Sequence, residues 1–243
     1  DLHLSLRRQR QMCIRDSSYA AIKIDIAMGR NAGFLAAASQ LAMEEPGRYG
    51  PDAVFVPEQG DLDEDKFLGI IDRIYSRQGR AYIVVSEGCT NKSIESFTKR
   101  EYDEHGNRRL SGTGFLGDYL AELVNNRLGK TLKKKLRVRA DTWGYLQRSF
   151  PLTVSKVDVE EARDVARYAV REAISGKNSG SAVIHVVSRF PYKSTFGVAK
   201  LEEVAKHTRS MPSDFIKDYV ITGKFRDYAM PLVGDLPRFK MFI

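Results

Sequence analysis

Residues 21–38 read Ala-Ile-Lys-Ile-Asp-Ile-Ala-Met-Gly-Arg-Asn-Ala-Gly-Phe-Leu-Ala-Ala-Ala. Ile22, Ile24 and Ile26 alternate with Lys23 and Asp25, which predicts a half-buried strand. The small residues from Asn31 to Ala38 predict the start of a helix. Met28-Gly29-Arg30 lies between them, closing the strand and opening the helix. A glycine at such a turn lets backbone or ligand come close. The following helix aims free N–H groups at the same spot, and Arg30 adds a cation able to grip two oxygens at once. A corner of this kind suits a phosphate or a phospho-sugar. The same residues also suit an ordinary strand-to-helix turn with a solvated arginine.

Strands and helices alternate outward from this corner. Asp52 to Val56 and Ala81 to Val85 are short apolar runs, as in buried parallel strands. Between them, Phe67, Ile70, Ile71, Ile74 and Tyr75 share one helical face, with Asp61 and Glu64 as the expected cap and Gly79 as the stop. A polar stretch from Cys89 to Thr113 predicts a long loop or hairpin. Leu116, Tyr119, Leu120, Leu123, Val124 and Leu128 predict a further helix that ends at Gly129. Lys135 to Ala140 predicts a strand with one basic face. Another helix follows from Asp158 and Glu161, with an apolar face through Val159, Ala162, Val165, Ala166, Ala169, Ala173 and Ile174, and Gly176 at its end. Ser181 to Val187 predicts another buried strand, and short helices are expected near 201–206 and after Pro212. This rhythm implies an α/β fold with a mostly parallel, Rossmann-like sheet covered by helices. Ligands of such sheets bind at the carboxyl ends of the strands. Arg30, Glu87 and Arg139 are all assigned to such ends.

The 243 residues suit one large α/β domain or two small ones, and a hydrophobic share of 42% is enough for a core. The net charge of +8 admits a nucleic-acid-binding domain as an alternative. The basic residues are dispersed, however, and local arginines are better matched to a small phosphorylated substrate. Cys13 and Cys89 form no disulfide framework and no metal-ligand spacing, which favours a reducing, cytoplasmic setting. No apolar run approaches the ~20 residues of a membrane span. Residues 1–17 read unlike the rest, and the string RRQRQMCIRDS resembles a translated sequencing adapter. They are expected to be a non-native leader, the alternative being a native basic arm.

The segments MGRNAGFLAAA at 28–38, VFVPE at 54–58, VVSEG at 84–88 and RADTWGYLQRSFP at 139–151 together resemble the phosphofructokinase family. MPSDFI at 211–216 and YAMPLVG at 228–234 resemble its pyrophosphate-dependent branch. The resemblance spans about residues 19–235. It implies that residues 18–148 form a fructose 6-phosphate-binding domain and that 149–243 return to a second, phosphoryl-donor domain. It also implies roles. Met28 and Gly29 would supply backbone and packing contacts, and Arg30 would face the sugar phosphate or the transferred phosphoryl group and its transition-state charge. Glu87 would accept hydrogen bonds from sugar hydroxyls. Arg139 would bind phosphate, in many members within a neighbouring subunit's site. Tyr145 and Arg148 would grip the 6-phosphate, where two arginine forks and a phenol suit a dianion. Trp143 is expected to pack.

The chain also departs from the common ATP-using pattern, at Tyr145 in the direction of the pyrophosphate-dependent branch and at Ala21 by losing a phosphate contact. Tyr145 stands where ATP-using members carry histidine, and Ser149-Phe150 where they carry two glycines. Ala21 stands where many of them have a phosphate-binding arginine. The resemblance implies pyrophosphate, with ATP as the alternative, as donor. It also implies Mg²⁺, a homo-oligomer (dimer or tetramer) and a glycolytic role. The family's Gly-Gly-Asp donor loop and Thr-Ile-Asp-Asn-Asp segment, which holds the catalytic aspartate and the metal, have no match in the sequence. The chain is therefore expected to carry the acceptor half of a site, to be inactive alone, and at most to bind the sugar phosphate. The apolar face of the 158–175 helix and the 181–187 strand is expected to stay exposed or to pack non-natively.

Overall fold

In the computed structural model, residues 21–43, 50–97, 114–133, 135–150, 154–176, 179–205 and 208–234 are described. The leader at 1–17, Cys13, and most of the polar stretch, from 98 to 113, lie outside them.

The alternating isoleucines form β1 (Ala21–Ala27), the inner strand on which the first of two compact units is built. This unit comprises residues 1–147 and 210–221. β2 (Ala53–Phe55), β3 (Ala81–Ser86) and β4 (Arg137–Thr142) complete a four-stranded sheet in the order β2-β3-β1-β4, every pair parallel. Ile24 lies opposite Ile83 on one side and Ala140 on the other. The expected parallel architecture is thus present.

One face of the sheet carries Ile22, Ile24, Ile26, Phe55, Ile83 and Val85. It packs against Phe67 and Ile71 of α2 (Glu64–Gln78) and against Leu116, Leu120 and Val124 of the helix that begins as α4 (Phe115–Leu123). Phe55 and Phe67 meet edge to face, with ring centroids 5.0 Å apart. The other face is covered by α1 (Phe34–Ala38), whose Ala36 and Ala37 are fully buried. Lys23 and Asp25 point to that covered face. The expected half-buried strand is therefore buried on both faces, with Lys23 4% and Asp25 0% exposed.

A buried ion pair replaces the solvent that the alternation suggested. The Lys23 ammonium lies 2.8 Å from Asp25 Oδ1 and also meets the Asp141 carboxylate from β4. The Tyr82 hydroxyl donates to Asp25 Oδ2 at 2.8 Å. Burial pushes the Asp25 carboxyl above the usual carboxylate range, while the Lys23 charge and the hydrogen bonds oppose that rise.

The segment 210–221 covers the outer edge of β2. Val54 N–H donates to Tyr219 C=O at 2.8 Å, and Ile221 N–H donates to the buried Gln40 side chain at 2.8 Å. Gln40 itself donates to Pro51 C=O. Local signals differ from the sequence expectations at several ends. α2 is capped by Asp63, which accepts Lys66 N–H, rather than by Asp61. It does end at Gly79. The helix begun by α4 does not stop at Gly129 but continues through five residues of wider turn, Val124–Leu128, into Gly129–Thr131. Buried packing at Val124, Leu128 and Gly129 holds it there. α3 (Lys92–Phe97) is a helix where a loop was expected.

The second unit comprises residues 148–209 and 222–243. Its long helix (Lys156–Ser175) starts three residues earlier than expected, because Ser155 rather than Asp158 is the cap and accepts Asp158 N–H. The helix packs on a hairpin of Ser181–Arg189 and Tyr192–Ala199 and on the helix Gly223–Val233. Residues 181–187 are not the buried strand expected. They pair antiparallel in a two-stranded sheet, and Val186 and Val187 are exposed. On the helix, Val170 and Ile174 are exposed, Ile174 to 82%, and no residue is buried. Of the apolar face expected from the sequence, Ala162, Ala166, Ala173 and Ile174 are exposed, while Val159, Val165 and Ala169 are half-buried.

Removing one partner of a buried pair leaves the other charge uncompensated. Lys23→Met should cost about 3–5 kcal/mol at neutral pH. Adding Asp25→Leu should recover most of it. The sign with pH follows from the raised carboxyl: below its folded pKa, Asp25 is neutral and the Lys23→Met penalty shrinks. Urea denaturation of the two variants between pH 4.5 and 8 reads both effects.

Candidate functional site

The Met28-Gly29-Arg30 corner stands where β1 leaves the sheet, with β3 and β4 ending beside it. Its geometry follows from how a parallel ladder stops. On the β3 side the last regular rung is Glu87 N–H to Ala27 C=O, at 2.8 Å. The next donor, Gly29 N–H, would seek Glu87 C=O in a continued ladder. It instead meets the Glu87 side chain, at 3.2 Å from Oε1. On the β4 side the last rung is Trp143 N–H to Ile26 C=O, at 3.1 Å. The next donor, Met28 N–H, bonds Gln147 Oε1 at 3.0 Å. Two side chains thus supply the acceptors that the departing strands no longer provide.

Ser86 closes the corner from below, its hydroxyl donating to Gly29 C=O at 2.6 Å. Gly29 has φ +143°, and a Cβ there would lie 2.4 Å from Ala32 C=O. A Cβ on Gly88 would lie 2.1 Å from Arg30 C=O and 2.8 Å from Gly29 C=O. Both glycines are needed because two backbones cross in contact. Glu87 is buried, at 7% exposure, and Arg30 is half-buried. Among the described residues no carboxylate pairs with Arg30.

The helix N-terminus does not serve as expected. Gly33 N–H is taken by the Glu58 carboxylate, at 3.0 and 3.1 Å, and Glu58 also accepts Met211 N–H at 2.9 Å. That end of α1 already faces a carboxylate of the protein itself. Glu58 therefore ties α1 to the 210–221 segment, a role its place in VFVPE did not reveal.

Met28, Gly29 and Arg30 are consecutive, and Glu87 joins them through the bond it accepts from Gly29 N–H. Arg139 is exposed on the edge strand β4, in register with Lys23, and outside this set of contacts. Tyr145 is 70% exposed in the turn after β4, next to Gly144. Arg148 lies on the short helix α5 (Leu146–Ser149) and begins the second unit, whereas the corner is built wholly from the first. Gln147, Ser86 and Glu58 were not singled out from sequence. The signal for Gln147 was its place between Tyr145 and Arg148, but nothing in spacing alone says that its amide would replace a ladder acceptor.

The family model for Phosphofructokinase matches residues 13–171. The chain belongs to the phosphofructokinase family. The chain is 40% identical over 220 residues, 88% of its length, to the pyrophosphate--fructose 6-phosphate 1-phosphotransferase of Rhodospirillum rubrum. Its fold resembles crystal structures of pyrophosphate-dependent phosphofructokinases. That of Nitrosospira multiformis gives a TM-score of 0.72 at 30% identity, covering 97% of this chain and 54% of that one. That of Marinobacter aquaeolei gives 0.74 at 29%, covering 96% and 54%. This phosphofructokinase chain spans about half the length of the curated relatives it matches, 52% in the Rhodospirillum case. No helix among the described residues is long and apolar enough to cross a membrane.

The crossing backbones predict a sharp contrast between glycines. Gly88→Ala must push the Arg30 backbone and should destabilise the chain by about 1–3 kcal/mol. Gly69→Ala, on α2 with nothing within 4 Å of the added methyl, should stabilise it by about 0.5–1 kcal/mol. Chemical denaturation of both variants checks this.

Proposed function

We propose that this chain carries the acceptor side of a pyrophosphate-dependent phosphofructokinase, which transfers a phosphoryl group to the 1-hydroxyl of fructose 6-phosphate and yields fructose 1,6-bisphosphate. The observation that carries the reading is the half-buried Arg30, held on a side-chain-locked strand end with no carboxylate partner among the described residues. The names of the relatives support the substrate and the donor. Tyr145, in place of histidine, and the 211–216 and 228–234 segments support pyrophosphate over ATP.

Phosphoryl transfer asks a protein for positioning and for positive charge where negative charge spreads in the transition state. Arg30 supplies that charge at the transferred group. Glu87, one of whose oxygens already holds Gly29 N–H, accepts from sugar hydroxyls and so couples sugar binding to the shape of the corner. Tyr145 and Arg148 hold the 6-phosphate, and Arg139, exposed on an edge strand, serves a neighbouring copy in a homo-oligomer. All of these assignments rest on the family resemblance.

Mg²⁺ would supply charge neutralisation of the donor phosphates. Among the described residues, no three His, Cys, Asp or Glu stand together to hold a metal ion, so the residues at hand do not fit it. The donor, the metal and the base that deprotonates the 1-hydroxyl are assigned to groups other than these. On this reading the chain alone binds fructose 6-phosphate in the cytoplasm without turning it over.

Calorimetry of the full chain with fructose 6-phosphate, and an assay with pyrophosphate, ATP and Mg²⁺, test the proposal. Saturable binding that Arg30→Ala weakens about tenfold or more is expected, since a charge-assisted contact is worth roughly 1.5–3 kcal/mol. No turnover with either donor is expected. Turnover by the isolated chain would overturn the assignment of the base elsewhere. Binding indifferent to Arg30→Ala would overturn the corner as the site.

A further inference from the structure

We propose that Gln147 is a positioning residue for the sugar-phosphate site, fixing the Met28-Gly29-Arg30 backbone in the conformation that presents Arg30. This rests on the substrate reading above. β4 abandons the sheet after Thr142, and Gly144, at φ +56°, turns the chain away. In a continued parallel ladder Met28 N–H would pair with Trp143 C=O. The turn removes that acceptor. Gln147 Oε1 takes Met28 N–H at 3.0 Å, and Gln147 Nε2 donates to Gly144 C=O at 3.0 Å. A single amide thus holds the end of one strand and the turn that follows the other.

The chemistry of that pair is narrow. Only a primary amide offers an acceptor and two donors on one planar group without charge. Asparagine has the group but is one methylene shorter. Ionised glutamate keeps the acceptor and loses the donor. The position matters for function because Met28 precedes Gly29, the residue with the greatest torsional freedom in the corner. With Met28 N–H released, the segment before Arg30 keeps only its contacts on the β3 side, Gly29 N–H to Glu87 and Ser86 Oγ–H to Gly29 C=O, and loses its hold on the β4 side. The guanidinium then samples more orientations, and binding must order them.

Two variants of the full chain test this. Gln147→Met keeps length and apolar packing and removes both hydrogen bonds. Gln147→Glu keeps the bond to Met28 N–H and loses the one to Gly144 C=O at neutral pH. For Gln147→Met we expect fast amide exchange at Met28 with Glu87 N–H still protected, and fructose 6-phosphate affinity lower by about five- to tenfold. For Gln147→Glu we expect an intermediate loss at pH 7. Its deficit relative to wild type should narrow toward pH 4.5, as the carboxyl gains a proton and with it a donor. Wild-type affinity in Gln147→Met, or an unchanged Met28 exchange rate, would overturn the role of Gln147 alone. No fructose 6-phosphate binding by the wild-type chain would overturn the substrate reading and this role with it.

Discussion

The corner depends on how an inner parallel strand is allowed to end. β1 runs between β3 and β4, and both neighbours leave the sheet before its last amides are paired. An unpaired buried N–H costs roughly 1–3 kcal/mol, so a strand end at this depth needs acceptors. Glu87 supplies one and Gln147 the other. That solution turns a structural requirement into a shaped site. The backbone of Met28-Gly29-Arg30 is held from both sides by side chains, and the next side chain along, Arg30, is a cation without a described carboxylate. The tight crossing at Gly88 adds a steric wall.

Below the corner, the sheet carries charge where the alternation suggested water. Lys23, Asp25, Tyr82 and Asp141 form one row of ion pairs and hydrogen bonds across β3, β1 and β4. Such a buried pair is weak evidence for stability in itself. Its effect here is directional: it links β4 to β1 a few residues before the turn that brings Gln147 back to Met28. Register in the sheet and closure of the corner are therefore tied to the same three strands.

Much of this was legible in the sequence. The period-two run at 22–26, the apolar runs at 54–56 and 81–85 and the helical stripe at 67–75 gave the parallel sheet and one of its layers. Met28, Gly29, Arg30 and Glu87 were found because strand ends are where such sheets bind ligands. What was not legible has physical reasons. Alternation in β1 cannot say whether the polar face meets water or, as here, is covered. An apolar run such as 181–187 predicts burial only if a second layer covers it, and in the second unit the hairpin leaves Val186 and Val187 exposed. Caps at Asp63 and Ser155 displaced those expected because several Asp, Ser and Glu residues compete near each helix start. Gln147 escaped notice because a side chain standing in for a backbone carbonyl has no periodic signature.

The most direct test is to watch the backbone amides themselves. Resonances of Met28, Gly29, Arg30 and Glu87 should be followed in a two-dimensional NMR titration of the chain with fructose 6-phosphate, with glucose 6-phosphate and inorganic phosphate as comparisons. Fructose 6-phosphate is expected to shift these four saturably and at lower concentration than either comparison ligand. Shifts confined to other surfaces, or none at these amides at saturating sugar phosphate, would contradict it.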